Sequence, residues 1–264
     1  MRHRHTTPFE MVEFKFHCKM PIFVARQWVR HRTANINEYS LRYSKARDEF
    51  YYPDPQNIQF QSALNKQGRS GKVPKELTDK VQKYFHEISE RSFEMYQELN
   101  EFGLARELIR GILPVNLYTE WYWKNDLHNL LHFIGLRSDS HAQYEIRVYS
   151  DAMADFVKKV APYAWEAYQD YVVRGLRFSR NEQDLLNQHL PERVIDDILE
   201  DLAYQLTATI HKNKPREDHE LYSLYQKQEG HDTEDDFQLK WRSGEIRTGN
   251  IREIREFKSK LQGL

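Results

Sequence analysis

From Glu13 to Met20 the chain alternates without a break, with Phe14, Phe16, Cys18 and Met20 on one side and Glu13, Lys15, His17 and Lys19 on the other. A two-residue period of this kind predicts a strand with one face buried. Pro21 then suits the first turn of a helix, to which Ile22, Phe23, Val24, Ala25, Trp28 and Val29 give a wide apolar face. That helix runs out in Arg26, Arg30, His31 and Arg32 and gives way to a polar stretch, Thr33 to Tyr43, rich in Asn and Ser. Such a corner is suited to binding a ligand.

Pro53, Pro55, Gly68, Gly71 and Pro74, set among Asn, Gln and Ser, mark residues 53 to 75 as a surface loop. Val81, Tyr84, Phe85, Ile88, Met95, Tyr96 and Leu99 then recur at helical spacing from about Lys75 to Phe102, with Gly103 as the stop. A shorter helix over 104–112 ends before Pro114. The aromatic run Leu117 to Trp123 predicts a buried strand, and Asp126 the N-cap of a helix through Leu130, Leu131 and Ile134. Ser140 is placed to cap a long helix reaching about Val160, Pro162 to open another, and Ser179-x-x-Glu182 forms a capping box before a further one. From His211 onward, 54 residues hold 11 Lys+Arg and 11 Asp+Glu. Such a mixture lacks the apolar material for its own core and predicts a solvated extension, with a short amphipathic helix around Ile251, Ile254, Phe257 and Leu261. No internal repeat is present.

Composition narrows the class. A chain of 264 residues suits one large domain or two small ones, and its 14 Phe, 16 Tyr and 5 Trp supply ample core. Only 10 Gly and 9 Pro exclude collagen-like and wholly disordered chains. A net charge of −1 argues against a protein that coats nucleic acid along its whole surface, while leaving room for a local basic patch. No apolar run is long enough to span a bilayer, and Met1 to His5 leads into polar residues rather than a signal sequence, so a cytoplasmic protein without a membrane partner is expected. A single cysteine excludes a disulfide framework and Cys-rich zinc modules.

Familiar motifs are missing. No G-x-G-x-x-G follows a strand, and Gly71-Lys72 has Lys66 where a P-loop needs its first glycine. H-E-x-x-H, G-x-S-x-G and paired C-x-x-C are absent too. Cys18 shares the apolar face of the first strand, where burial raises a thiol's pKa, and His17 beside it faces the other way. Cys18 is therefore read as structural. His128 and His132 share a helical face but have no third ligand of suitable type, so no metal site is predicted.

What remains is Gln27 to Ser44. Arg30, Arg32 and Arg42 are planar forks suited to phosphates, while Gln27, Asn37, Glu38 and Ser40 can address a polar ring or ribose. Further basic positions stand at Arg110, before Gly111-Ile112-Leu113-Pro114, and at Arg137, within Leu136 to Gln143. An anion site requires the fold or an oligomer to bring these three clusters together; the alternative is a basic, solvated helix end.

Arg30-His31-Arg32, with Ser40 and Arg42-Tyr43-Ser44 behind it, resembles the motif of the flavin-dependent thymidylate synthases, the ThyX family. His5-Thr6-Thr7-Pro8-Phe9-Glu10 is similar to the family's H-x-T-P-F-E turn, and Pro21 to Gln27 to its P-I-F-V-A-R-Q helix. Leu113-Pro114-x-Asn116-Leu117-Tyr118 and Leu136-Arg137-x-Asp139-Ser140-His141-Ala142 resemble its later blocks. All occur in order over roughly residues 3 to 175. The resemblance implies an α+β fold, a central mixed or antiparallel sheet flanked by helices with a helical C-terminal extension, assembled as a homotetramer whose sites draw on several subunits. Residues 1–178 would form the catalytic domain and residues 179–264 a helical, polar, charged extension. It also implies reductive methylation of dUMP to dTMP, with 5,10-methylenetetrahydrofolate as carbon donor, FAD as cofactor and NADPH as reductant, and no protein nucleophile on the uracil.

Carried over position by position, the resemblance places Thr7, Arg30, His31, Arg32, Glu38, Asp126, His128 and His132 at FAD. It places Gln27, Trp28, Val29, Arg30, Glu38, Tyr39, Ser40, Leu41, Arg42, Arg110 and Arg137 around dUMP. Arg42 matches a position for the phosphate. Arg137 matches the arginine that stabilises uracil as its N3 loses a proton, a fixed cation beside a developing anion. Ser40 is read as a hydrogen-bonding group, since its local sequence supplies no base. His3 and His5 fall in a turn beside the flavin rather than in a terminal metal pair. Members usually carry several dozen residues upstream of the H-x-T-P-F-E block, including a strand, so the expectation is either that the true start lies further upstream or that part of the sheet is missing. Two rival readings are a nucleic-acid-binding module using Arg26, Arg30, Arg32, Arg42 and Arg47 with nearby tyrosines, and a relative that binds nucleotide without turnover.

Overall fold

The computed structural model describes residues 1, 4–62 and 68–189, with positions 194, 198, 202 and 257. His3 and, apart from Phe257, the amphipathic helix expected around 251 to 261 lie outside the described residues. The chain divides into two compact units, Met1–Gly175 and Leu176–Leu264.

The first unit opens with a short helix α1 (Thr7–Glu10) and the expected strand β1 (Glu13–Pro21), whose alternate residues are buried towards its end. Pro21 closes the strand and is the N-cap of α2 (Ile22–Trp28), one position before the first helical turn where its fixed φ was expected to sit. The polar stretch after α2 contains a strand that its composition did not reveal, β2 (Asn35–Glu38), with all four residues exposed. Within the 53–75 loop lie a single 3-10 turn and a two-residue pairing of β3 (Phe60–Gln61) with β4 (Arg69–Ser70). α3 (Lys75–Glu101) follows its apolar periodicity and stops where Gly103 adopts φ +75°, a conformation that a side chain would strain. The expected 104–112 helix is α4 (Arg106–Ile109) with a 3-10 turn, Arg110–Ile112.

β5 (Tyr118–Asp126) runs three residues beyond the aromatic run because nothing ends it before Asp126, whose carboxylate accepts the Asn129 amide at 2.8 Å and starts α5 (Leu127–Arg137). Ser140 does not cap α6 (Tyr144–Val160); Gln143 stands at that N-cap. Asp139 instead captures residues 139–142 in a turn, accepting the His141 amide at 2.8 Å, and so delays the helix. α7 (Pro162–Tyr168) begins at its proline and passes into a π-helical turn, Gln169–Val173. It approaches α5 so closely that a Cβ on Gly135 would lie 2.7 Å from the Tyr168 hydroxyl. In the second unit, α8 (Arg180–His189) is started by the expected capping box, Ser179 N–H donating to Glu182 at 2.7 Å.

The fold is α+β. Among the described residues the main sheet is antiparallel throughout, ordered β1-β5-β2, with Cys18 opposite Trp121 and Ile36 opposite Trp123. Its inner face carries Cys18, Met20, Trp121 and Trp123 against α2, α5 and α6. Trp28 is the hub: it stacks on Phe133 at 5.0 Å and meets Trp121 and Trp123 edge-on at 5.5 and 5.4 Å. A second cluster, built on Phe50, Phe93, Tyr96, Ile109 and Leu117, holds the chain after β2, and the Tyr96 hydroxyl accepts the Ala46 amide at 3.0 Å. Among the described residues no helix is long and apolar enough to cross a membrane.

Candidate active site

Trp28 sets where the functional side chains emerge. Its side chain is fully buried, so any contact it makes with a nucleotide runs through its backbone. The next residues leave the core in a tight turn, His31 N–H donating to the Trp28 carbonyl at 3.0 Å and Arg30 N–H to that of Gln27 at 3.3 Å. Val29, Arg30 and Arg32 are thereby exposed and His31 is half-buried.

His31 meets Arg137, from the last turn of α5: Arg137 Nε donates to His31 Nε2 at 2.9 Å. The imidazole also lies edge-on to Phe133 at 4.9 Å and to His132 at 6.3 Å. Burial first, then the Arg137 charge and His132, lower the His31 pKa to about 4, so the ring is neutral at physiological pH. Since Nε2 accepts, its single proton is on Nδ1. Burial also lowers the Arg137 pKa, yet a guanidinium stays charged. The pair is therefore a cation oriented by a neutral partner, and among the described residues no carboxylate cancels its charge.

At the other end of α5, α1 packs against the helix, and the chain just after α1 is tied to the helix start, Leu127 N–H donating to the Val12 carbonyl at 2.7 Å; Thr7, at the far end of α1, is exposed. Both Asp126 oxygens are committed locally, one to the Asn129 amide and the other to its Nδ2, each at 2.8 Å. Asp126 is thus a helix cap first.

β2 fixes the next group. Glu38 accepts the Thr119 hydroxyl at 2.7 Å, and Tyr39 N–H extends the ladder to the Glu120 carbonyl at 2.9 Å. The Tyr39 ring carries Arg47 at 5.3 Å. Ser40 Oγ accepts from Arg42 N–H and Nε at 3.4 and 3.5 Å, so this hydroxyl orients an arginine, while Leu41 packs on the second cluster. Arg106, which sequence reasoning passed over, pins this segment by donating to the Tyr43 carbonyl at 2.9 Å. Arg110 stands one turn further along, tied to the Glu107 carbonyl at 3.3 Å.

Gln27 joins a third group that the sequence did not disclose. It donates to the Gln143 side-chain carbonyl, and Gln143 donates to Glu145 at 2.8 Å. Glu145 is buried and also accepts from the Tyr51 hydroxyl at 2.8 Å and from Arg69. Its only signal in sequence was its place beside Ile146 on the buried side of α6. Cys18 is 7% exposed, and burial raises its pKa to about 12, so the thiol stays protonated.

An antiparallel sheet backed by helices, with guanidinium forks and a neutral imidazole at the open end of α2, defines an α+β protein equipped to hold anionic ligands bearing polar rings. Residues 1–163 match the family described as thymidylate synthase complementing protein, Thy1, and the chain belongs to it. A flavin-dependent thymidylate synthase of Rickettsia conorii is 51% identical over 201 residues, which are 71% of this chain and 68% of that one. One from Dictyostelium discoideum is 49% identical, covering 72% and 62%. Among solved structures, a UMP/dUMP methylase, PolB, from Streptomyces cacaoi, bound with 5-Br UMP, superposes with TM-score 0.62 at 33% identity, covering 65% of this chain and 80% of that one.

Proposed function

We propose that this protein is a flavin-dependent thymidylate synthase that converts dUMP to dTMP, drawing carbon from 5,10-methylenetetrahydrofolate and reducing equivalents from NADPH by way of FAD. The observation that carries the reading is the Arg137–His31 pair, a half-buried cation held in place by a group that does not neutralise it. A site that stabilises an anion developing on a uracil ring needs such a charge, fixed before the reaction begins.

The residues present fit a flavin dinucleotide. Arg30 and Arg32 project from the end of α2 and, among the described residues, neither is paired with a carboxylate, so both forks suit its phosphates. His31, neutral, and His132 offer hydrogen-bonding rings beside them, with Thr7, Glu38 and His128 as further contacts and Asp126 reaching the cofactor only past its capping bonds. When bound, the flavin supplies the hydride chemistry that no side chain can. The chain's own residues bind and orient: Arg42, held by Ser40, takes the nucleotide phosphate, with Arg110 as a second cation. Gln27, Glu38, Ser40 and the backbone around Trp28, Val29, Tyr39 and Leu41 position the nucleotide. Arg137 stabilises the uracil as N3 gives up its proton. The cysteine takes no part.

Oligomerisation belongs to the same reading. Leu77, Tyr84, Ile88 and Met95 on α3, with Phe102 at its C-cap, form a heptad-spaced apolar stripe, and all five are exposed. A homotetramer would cover that stripe and bring Arg110 of one copy to the site of another. A cytoplasmic location is part of the same proposal.

An anaerobic assay for dTMP from dUMP, methylenetetrahydrofolate, FAD and NADPH tests the reaction; the purified protein should be yellow, with flavin absorbance that shifts on adding dUMP. Nucleotide binding without dTMP would overturn the enzyme reading, as would salt-sensitive RNA binding by a colourless protein. Sedimentation should show a tetramer, and an active monomer would overturn the shared-site arrangement.

A further inference from the structure

We infer that Glu145 is a positioning residue which, acting through Gln143, fixes the end of the Gln27 carboxamide that faces the nucleotide; this rests on the placement of Gln27 at dUMP. An amide side chain has a donor end and an acceptor end of nearly the same shape, and nothing in its sterics chooses between them. A carboxylate does choose, because it only accepts. Glu145, 5% exposed, lies within reach of three donors: the Tyr51 hydroxyl at 2.8 Å, the Arg69 guanidinium, and Gln143 Nε2 at 2.8 Å. Gln143 must therefore turn its NH2 towards Glu145 and its oxygen away. That oxygen accepts from Gln27 Nε2, so Gln27 in turn points its NH2 inward. That fixes the Gln27 carbonyl oxygen away from Gln143 as the acceptor offered to a ligand, and it favours a hydrogen-bond donor on the edge it meets.

The charge state supports the chain of orientation. Burial by itself would raise the Glu145 pKa, but the hydrogen bonds from Arg69, Gln143 and Tyr51 outweigh it and hold the carboxyl below its usual range. Burial and the Glu145 bond raise the Tyr51 pKa, so the phenol remains a donor. Arg69 balances the carboxylate, which leaves Glu145 nothing to offer a substrate directly. Its influence on the site runs through two amides, from the start of α6 to the last turn of α2.

A double-mutant cycle on the full-length, flavin-loaded enzyme separates this role from simple support of the fold. Glu145→Gln keeps the volume but can donate as well as accept, so the polarity of the chain is no longer forced. The dUMP KM should rise about tenfold, a loss of about 1.4 kcal/mol, while kcat falls less than threefold. In the natural enzyme Gln27→Ala should raise the KM about tenfold; in the Glu145→Gln background it should add no more than about twofold, because the amide is already unfixed. Gln143→Met, which cuts the relay without stranding a charge, should give the same cycle if Glu145→Gln does not fold. Equal costs for Gln27→Ala in both backgrounds would overturn the relay while leaving Gln27 at the nucleotide. A Gln27→Ala enzyme with unchanged KM would remove Gln27 from the site and the relay with it. Failure of the natural protein to form dTMP would overturn the enzyme reading itself, a distinct result.

Discussion

Arg137 and Glu145 are both charged, both largely withdrawn from water and both held by hydrogen bonds, yet they are treated in opposite ways. Glu145 is surrounded by donors: Arg69 cancels its charge, and Tyr51 and Gln143 fill further lone pairs. Arg137 has a neutral imidazole at its Nε, which aims the guanidinium, and among the described residues no carboxylate balances its charge. Leaving a half-buried charge without a counter-ion costs stability, and a fold tolerates that where a ligand is to supply the balance. A saturated charge organises its surroundings; an unbalanced one waits for an anion.

The sharpest way to break this contrast is Arg137→Ala, which should reduce dTMP formation about a hundred- to a thousand-fold with flavin content and assembly retained. An anaerobic turnover assay giving a loss of less than threefold would show that the uncancelled charge is not used. Glu145→Ala should act mainly on folding: it strands Arg69 and removes the acceptor of two further donors, a loss of about 3 kcal/mol at the low end of broken buried pairs because Arg69 still reaches water. Urea unfolding measures it, and an unchanged midpoint would contradict a saturated structural charge.

His31 sharpens the comparison through pH. Its pKa is lowered to about 4 in the folded chain from 6.5, so between these values the unfolded chain binds a proton that the folded one refuses. The stability that depends on a neutral His31 is present in full above about 6.5 and is lost as pH falls towards about 4. Thermal melts from pH 7.5 to 4.5 should show that decline, and His31→Asn should flatten it; parallel curves would mean that the ring is protonated beside Arg137 after all. The smallest effect is expected at Cys18→Ala, about 1 kcal/mol of stability from a slightly underfilled core and turnover within twofold. Loss of dTMP formation in a folded Cys18→Ala protein would place a nucleophile where the sheet has buried one.

Much of the fold was legible because single segments carried their own periodicity. The alternation of Phe14, Phe16, Cys18 and Met20 needed no partner to predict β1, and the spacing from Val81 to Leu99 none to predict α3. β2 was illegible for the opposite reason: Asn35–Glu38 buries no face, and only hydrogen bonds to β5 make it a strand. Ser140 looked like a cap on residue type alone, whereas Asp139 reached the backbone first and moved the helix start to Tyr144.

Resemblance in sequence picked out Arg30, His31, Arg42 and Arg137 one by one, because each sits in a run whose residue types are distinctive. It carried no sign that His31 and Arg137 touch across 106 positions, nor that Arg106 pins Tyr43 or that Tyr51, Arg69 and Glu145 meet. Chain order determines which groups are present, which faces of each element are apolar and hence the class of fold. Protonation state, amide orientation and whether a charge is cancelled depend on which distant groups the packing of α2, α5 and α6 brings within about 3 Å of one another, and those were decided only by the tertiary structure.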